Sequence, residues 1–243
     1  MMIKFNINAN WPAGKKSIIE VSYDLWDLLK ALSQIDDSFL VPTLSKENQK
    51  DVSFRTDELS KEEAVKIISS TILNFSEYDI AKYEKEQNPT IEYSRDFGFS
   101  FVLTYGQVMS FNIIIGCSSA NGLSVLSYNS NNNSFEWYYS VLKAIITGSN
   151  ATRGAIGIRD LPFQKACRNL AAPLGWITYF SNSFKPEIPN NLEGIEYEFT
   201  DKGKYLILTR EDFTTDKETY EAHKQKLLNV MEEIKRRVPE YGK

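Results

Sequence analysis

Histidine and cysteine, two residue types that often act in catalysis or bind metals, are scarce in this sequence. Its 243 residues include one histidine, His223, and two cysteines, Cys117 and Cys167. Any mechanism that needs a histidine base therefore has a single candidate. The two cysteines have neither the spacing of a zinc site nor that of a disulfide framework. We therefore expect no bound metal and no cofactor.

Motifs of the large enzyme classes are missing as well. The sequence has no Gly-x-Ser-x-Gly elbow, no Walker A loop, no Gly-x-Gly-x-x-Gly turn and no His-Glu-x-x-His helix. Each of these motifs places a nucleophile, a phosphate cradle or a metal at a defined point of a fold. Their absence disfavours serine hydrolases, P-loop NTPases, dinucleotide-dependent enzymes and zinc proteases.

The charge and the apolar runs limit the kinds of partner. The net charge is −4 at pH 7, so the excess of Lys and Arg that neutralises phosphates is absent and we expect no nucleic-acid partner. No run of about eighteen apolar residues occurs, and the first residues lack the apolar core of a secretory signal. We expect a cytoplasmic protein that does not associate with membranes.

The overall composition is typical of a globular protein. Hydrophobic residues make up 42% of the chain and charged residues 25%, which is enough apolar surface for one core. No long stretch rich in Pro, Gly or Ser separates two apolar sets. The sequence therefore predicts a single domain over residues 1–243.

Four segments have apolar residues at spacings of three and four, which is typical of amphipathic helices. We predict helices from Ile18 to Leu32, from Ser60 onwards, from Phe135 to Thr147, and from Asp216 to Arg237. Ser60 and Glu63 have the spacing of a capping box. Gly148 is predicted to stop the third helix.

Other segments alternate between apolar and polar residues, which is typical of strands. Three consecutive runs predict an antiparallel meander with a tight turn at Asn121-Gly122: Phe97 to Leu103, Val108 to Gly116 and Leu123 to Tyr128. Further strands are predicted at Ile3 to Ile7, Ala155 to Arg159, Trp176 to Phe180, Ile195 to Thr200 and Tyr205 to Leu208. Because strict βαβ alternation is missing, the predicted class is α+β, a mainly antiparallel sheet with helices packed on one face.

One pair of residues suggests catalysis. Cys117 follows a predicted strand beside a Gly/Asn loop, and His223 could act as its base. The more ordinary interpretation is that His223 packs between Tyr220 and Leu227 on the last helix, and that Cys117 is a small strand residue. We favour the second interpretation, since sequence spacing does not establish a hydrogen bond between the two side chains.

Acidic side chains are concentrated around the C-terminal hairpin. Residues 187–212 contain seven acidic and three basic side chains, so this segment alone has a net charge of −4. Such a patch can meet a basic protein surface and speed association, although a solvated strand face is the plainer interpretation. Alternate carboxylates also share a strand face, as metal ligands can; this less favoured hypothesis involves Glu196, Glu198, Asp201, Glu211 and Asp212.

Short motifs in the C-terminal third have the order of a known family. They are Gly175-Trp176-Ile177-Thr178-Tyr179, a loop with Pro186 and Pro189, the strand Gly203-Lys204-Tyr205-Leu206-Ile207-Leu208-Thr209, and Glu221-Ala222-His223 in the last helix. The N-terminal strand, a Trp-containing loop and a helix ending at Ile35-Asp36-Asp37 precede them. In the order of these motifs, the chain resembles the immunity protein 52 family of bacterial polymorphic toxin systems over nearly its full length.

The resemblance implies a protein that binds and neutralises a cognate toxin in contact-dependent or type VI secretion competition. In that family the toxin is often a restriction-endonuclease-like nuclease, whose active groove the immunity protein would cover. Trp176 and Tyr179 are then expected in the core. The candidate toxin-binding residues are Glu193, Glu196, Glu198, Asp201, Glu211 and Asp212.

Two alternatives remain open beside this interpretation. One is a small hydrolase or transferase that uses Cys117, and the other is a module that binds a small ligand between sheet and helices. A hydrogen bond between Cys117 and His223, with Cys117 facing a pocket, would favour the enzyme. A large apolar pocket with convergent polar groups would favour the ligand-binding module. The oligomeric state is not predicted.

Overall fold

A ten-stranded antiparallel sheet is the main feature of the computed structural model. The structure describes residues 5–11, 17–46, 48–83, 99–106, 109–115, 121–127, 134–158, 174–211 and 217–242. Its strands are β1 (Phe5–Trp11), β2 (Thr43–Ser45), β3 (Val52–Ser53), β4 (Phe99–Tyr105), β5 (Met109–Ile115), β6 (Asn121–Ser127), β7 (Arg153–Ile158), β8 (Ile177–Ser181), β9 (Glu196–Phe199) and β10 (Gly203–Ile207). Across the sheet they follow the order β3-β2-β4-β5-β6-β1-β7-β8-β10-β9.

Four α-helices occur in the described part of the chain, and the first three form a layer on one face of the sheet. The helices are α1 (Ile18–Ser33), α2 (Lys61–Tyr83), α3 (Phe135–Ser149) and α4 (Lys217–Arg237). Helix α1 packs against both α2 and α3, and α3 lies over β1 and β7. The predicted α+β class is confirmed, as is the antiparallel meander β4-β5-β6.

Helix α4 contacts the end of the sheet that contains β9 and β10. The amine of Lys226 donates a hydrogen bond to the carbonyl of Leu208 at 2.8 Å, and Arg237 donates to the carbonyl of Asn191 at 3.3 Å. The helix thereby holds both the chain that follows β10 and the loop that precedes β9.

Local hydrogen bonds explain where the first two helices begin. Ser60 and Glu63 form the predicted capping box: the Glu63 amide donates to the Ser60 hydroxyl at 3.3 Å, and the Glu63 carboxylate accepts from the Ser60 amide at 3.0 Å. Ser17 and Glu20 form a second capping box at the start of α1. Each box provides partners for backbone amides that have none within the helix.

Aromatic side chains join α3 to the sheet. The ring of Trp176 lies 5.8 Å from Phe135 and 5.9 Å from Tyr138, and the ring of Tyr205 lies 5.3 Å from Tyr139. Trp176 is fully buried and donates its indole N–H to the carbonyl of Thr209 at 2.9 Å. The prediction that Trp176 belongs to the core is confirmed.

Tyr179 is buried as well, at 2% exposure. Its ring lies 4.9 Å from that of Tyr205 on the neighbouring strand. Because both aromatic residues of the Gly-Trp-x-Thr-Tyr motif are in the core, the motif reflects packing rather than a binding surface.

The predicted turn at Asn121-Gly122 is wrong. Both residues lie inside β6, where Gly122 pairs with Ile114 of β5 on one side and with Asn10 of β1 on the other. Pairing on both sides extends the strand through a dipeptide that, in isolation, favours a tight turn. The short strands β2 and β3 were not predicted, since two or three residues give too short a pattern of alternation.

Gly148 does not end α3, contrary to the prediction. The helix continues to Ser149, and Asn150 supplies the left-handed cap with φ 50° and ψ 42°. A Cβ atom at Gly148 would lie 2.6 Å from the Cα atom of Leu28. The glycine is therefore explained by the close crossing of α1 and α3.

Replacing Gly148 with alanine tests this crossing. Alanine favours a helix interior over glycine by about 1 kcal/mol, but the added methyl group must displace the backbone of α1. We expect Gly148→Ala to lower the free energy of unfolding by about 1–3 kcal/mol, as measured by urea denaturation. The matched control is Thr147→Ala, at the exposed neighbouring position, which should not destabilise. A stabilised Gly148→Ala variant would contradict the close packing.

Candidate protein-binding surface

The β9-β10 hairpin contains three of the six predicted binding residues, Glu196, Glu198 and Asp201. It lies at one end of the sheet, where β9 is the outermost strand. The Thr200 amide donates to the carbonyl of Gly203 at 2.8 Å, and the Gly203 amide donates to the Thr200 hydroxyl at 3.0 Å. Gly203 also has little space around it, because a Cβ atom there would lie 2.3 Å from the carbonyl oxygen of Phe180. The turn is thus held tightly against β8.

The faces of β9 differ from the prediction. Glu196 and Glu198 were expected on a solvated face, with the alternating apolar residues buried. Instead, Glu198 lies opposite Tyr205, whose ring faces α3, and its side chain is only 33% exposed. Phe199 is 61% exposed. The carboxylates therefore point toward α3, while an aromatic ring of the other face is open to solvent.

Two basic residues hold the carboxylates of β9. Lys143 of α3 lies 2.8 Å from Glu198, and Arg210 lies 2.7 Å from Glu196 and 3.4 Å from Glu198. The hydrogen bond from Lys143 is the main cause that holds the pKa of Glu198 below its usual value. No sequence signal indicated that Lys143, 55 residues before Glu198, would be its partner.

The same two cations also lie over aromatic rings of α3. The amine of Lys143 is 4.1 Å from the centre of the Tyr139 ring, and the guanidinium of Arg210 is 5.3 Å from that of Phe135. Cation–π contacts at partly exposed sites contribute about 0.5–1 kcal/mol each. We name these four charged residues, Lys143, Glu196, Glu198 and Arg210, the β9 ion network. The network connects α3 to the outer strand and to the segment after β10.

The remaining predicted binding residues are arranged differently. Glu193, Asp201 and Glu211 are exposed, and within the described ranges no cation lies within ion-pair distance of their carboxylates. Asp212 lies outside the described residues. The candidate residues thus comprise two carboxylates in the β9 ion network and three that are free to meet a partner's charge.

The metal hypothesis finds no geometric support in the part of the chain that the structure describes. No group of three or more His, Cys, Asp or Glu side chains is arranged there to hold a metal ion. Glu196 and Glu198 have cations as their partners instead.

The Cys117-His223 hypothesis stays untested, because Cys117 and Cys167 both lie outside the described residues. His223 is half-buried on α4. Burial, followed by the nearby charge of Lys226, lowers the pKa of its imidazole. A neutral, half-buried side chain at neutral pH agrees with the packing interpretation and does not establish a catalytic one.

A cleft of about 260 Å³ lies beside the hairpin. Phe180, Phe184 and Phe199 line it together with polar side chains such as Asn182 and Lys204. The Lys204 amine donates hydrogen bonds to the carbonyl of Ile188 and to the side chain of Asn190, while burial lowers its pKa. The volume is below the ~300–1,000 Å³ that is typical of small-molecule sites, so this cleft gives the ligand alternative little support.

Comparisons with known proteins find similarity of fold to solved structures. No protein-family model matches the chain, and a search of curated proteins finds no match. The structure is similar to that of the Pseudomonas aeruginosa T6SS protein PA0821, with a TM-score of 0.53 and 10% sequence identity, over 96% of this chain and 76% of that one. At this identity, the similarity is one of fold. No helix in the described ranges is both long enough and apolar enough to span a bilayer.

The β9 ion network predicts a specific dependence of stability on pH. The pKa of Glu198 is lower in the folded state than in the unfolded state. Its ionised carboxylate therefore stabilises the fold at pH values above the unfolded-state pKa, and this stabilisation is lost as the pH falls through the folded-state pKa. We expect Glu198→Gln to be less stable than wild type by about 0.5–1 kcal/mol at pH 7, since the pair is partly exposed.

The difference in stability between wild type and Glu198→Gln should close as the pH falls below about 4.3, the usual pKa of a glutamate, and through the lower folded-state pKa of Glu198. Urea unfolding at several pH values measures this difference in the free energy of unfolding. Glu193→Gln is the control, because its carboxylate has no ion pair with a described residue, and it should follow wild type throughout. A gap that does not change with pH would exclude the Glu198 charge as its cause.

Proposed function

We propose that this chain is an immunity protein that binds a bacterial toxin and neutralises it without catalysing a reaction. The observation that carries the proposal is a fold similar to that of the T6SS protein PA0821 over 96% of the chain. The order of its C-terminal motifs, which resembles the immunity protein 52 family, supports the same function. On this proposal the working part of the protein is a surface.

The buried positions of Trp176 and Tyr179 limit where that surface can be. Both side chains pack inside the fold, so a partner must contact other residues. Glu193, Asp201 and Glu211 are exposed at the same end of the sheet, and their carboxylates are not neutralised by described neighbours. We propose that these three residues form the charged part of the toxin-binding surface.

The charge of this surface indicates the chemistry of the partner. A toxin that acts on nucleic acid needs a groove rich in Lys and Arg to hold phosphates. Carboxylates at the edge of the immunity protein would attract such a groove and speed the encounter. We therefore propose that the toxin presents a basic surface, with a nuclease of the restriction-endonuclease type as the specific candidate, and that binding covers its active groove.

Co-expression with the product of the gene directly upstream of this chain's gene, the expected place of a cognate toxin gene, tests the proposal. Induction of the toxin alone should stop growth, and co-expression of the chain should restore it. Because the proposed mechanism needs no reactive side chain, the double variant Cys117→Ser/His223→Gln should protect as well as wild type when it is equally abundant. Loss of protection by that folded variant would favour the enzyme alternative instead. Failure of the wild-type chain to protect or to bind the purified toxin would contradict the proposed function.

Charge reversal tests the proposed surface. We expect Glu193→Lys and Asp201→Lys each to lower the association rate with the toxin by about threefold to tenfold at 20 mM salt, and much less at 500 mM, where screening is strong. Stopped-flow fluorescence or surface plasmon resonance measures the rates. Glu196 and Glu198 are unsuitable for this test, because reversal there would also break the β9 ion network.

Asp51→Lys is the matched control for these reversals. It changes the net charge by the same amount, and Asp51 is exposed next to β3, at the opposite end of the sheet from β9. Ten strands at about 4.8 Å spacing place the two ends roughly 40 Å apart, beyond the Debye length. If Asp51→Lys slows association as much as Asp201→Lys, the effect comes from net charge, and the proposed surface is wrong.

A further inference from the structure

The sheet ends in two edges, and they differ in what they offer a partner. At one end β3 has only two residues, whereas at the other end β9 has four. No strand among the described residues pairs with the outer side of β9. An edge strand of this kind presents backbone groups that can pair with another chain.

The hydrogen-bond alternation of an antiparallel pair shows which groups point outward. The Thr200 amide donates to the Gly203 carbonyl, so this pair is bonded. Hydrogen-bonded and non-hydrogen-bonded residue pairs alternate along an antiparallel ladder. Glu198 therefore directs its N–H and C=O toward β10, whereas Tyr197 and Phe199 direct theirs away from it. Within the described residues, no hydrogen bond reaches the N–H or C=O of Tyr197 or Phe199.

Side chains on the two faces of β9 define what an added strand would meet. On one face are the carboxylates of Glu196 and Glu198, which are 50% and 33% exposed and are already paired with Lys143 and Arg210. On the other face the Phe199 ring is 61% exposed and lines the 260 Å³ cleft together with Phe180 and Phe184. Side chains directly opposite one another on neighbouring strands contribute to the pairing.

We propose that the outer edge of β9 is the docking edge for the toxin, and that an extended segment of the toxin adds to the sheet there as a further strand. The segment carries an apolar side chain beside Phe199 and basic side chains toward its ends, near the carboxylates of Glu193 and Asp201, which flank β9 and have no ion pair with a described residue. Main-chain bonds to Tyr197 and Phe199 give affinity, and these side chains give specificity. This inference rests on the proposed function and adds the place and mode of binding.

A second copy of this chain is a less suitable occupant of the same edge. Antiparallel pairing of two β9 strands about Glu198 would bring Asp201 of each copy close to Glu193 of the other. Like charges that face one another across a strand pair are destabilising. The carboxylates that flank the edge therefore disfavour self-association, while they favour a segment with basic ends.

Residue-level amide hydrogen exchange tests the docking edge directly. In the free chain, the amides of Tyr197 and Phe199 should exchange rapidly, whereas those of Glu198 and Thr200, bonded to β10, should exchange slowly. The probe is the purified toxin that the chain neutralises in the co-expression test, inactivated by substitution. Its addition should slow exchange at Tyr197 and Phe199 by at least about tenfold. A tenfold slowing means that the free energy needed to open the new hydrogen bonds is about 1.4 kcal/mol.

A pair of variants separates main-chain pairing from side-chain contact. Phe199→Pro removes both the ring and the outward N–H, which an edge strand tolerates because that N–H has no partner in the sheet. Phe199→Ala removes the ring alone. We expect Phe199→Pro to raise the Kd for the toxin domain at least about tenfold above that of Phe199→Ala, with both variants folded by circular dichroism and urea unfolding.

Each outcome has a distinct meaning. Slowed exchange at Tyr197 and Phe199, together with the excess effect of proline, supports the docking edge. Tight binding by wild type with unchanged exchange there, or equal Kd values for the two variants, overturns the docking edge and leaves the proposed function standing. A wild-type chain that does not bind the toxin contradicts both. Dimerisation that disappears in Phe199→Pro would assign the edge to a second copy and overturn the proposal.

Discussion

The pairing of β9 with β10 is the constraint on which the proposed binding surface depends. In an antiparallel ladder, each residue directs its backbone groups to one neighbour only. The bonded pair at the turn, Thr200 and Gly203, therefore determines the direction of every group further along β9. The same register sends the glutamate side chains toward α3 and leaves Phe199 on the open face. A shift of one residue would exchange the two faces and remove the arrangement altogether.

The β9 ion network opposes such a shift. Lys143 comes from α3 and Arg210 from the segment after β10, and both meet the carboxylates of β9 while lying over rings that belong to α3. Neither contact is strong alone at this degree of exposure. Together they connect the outermost strand to the helix layer, so that a short edge strand keeps one register. Glu193, Asp201 and Glu211 lie outside this network and remain available for contacts with a partner.

The sequence predicted the elements with strong periodicity and failed where tertiary contacts override local preference. The α+β class and the meander follow from alternation and helical spacing, which depend on the chain's own pattern, whereas the burial of Trp176 was expected from the family resemblance and from the usual burial of aromatic side chains. The errors at Gly122 and Gly148 have one origin. Gly122 is in a strand because it pairs with β5, and Gly148 is a glycine because α1 crosses there. Neither neighbour can be inferred from the few residues around each glycine. The pairing of Lys143 with Glu198 was missed for the same reason.

The candidate surface stays a prediction. The concentration of acidic residues indicated the C-terminal hairpin, but charge counting could not separate carboxylates that pair with cations from those that do not. The open backbone groups of Tyr197 and Phe199 could not be predicted at all, since they follow from the strand order of the sheet. The central proposal, that this chain acts through its β9 end on a toxin, is tested most directly by a crystal structure of its complex with the toxin that it neutralises in the co-expression test. We expect the toxin to contact β9, Glu193 and Asp201, whereas a toxin bound only to the α1-α2 layer or to the β3 end would contradict the account.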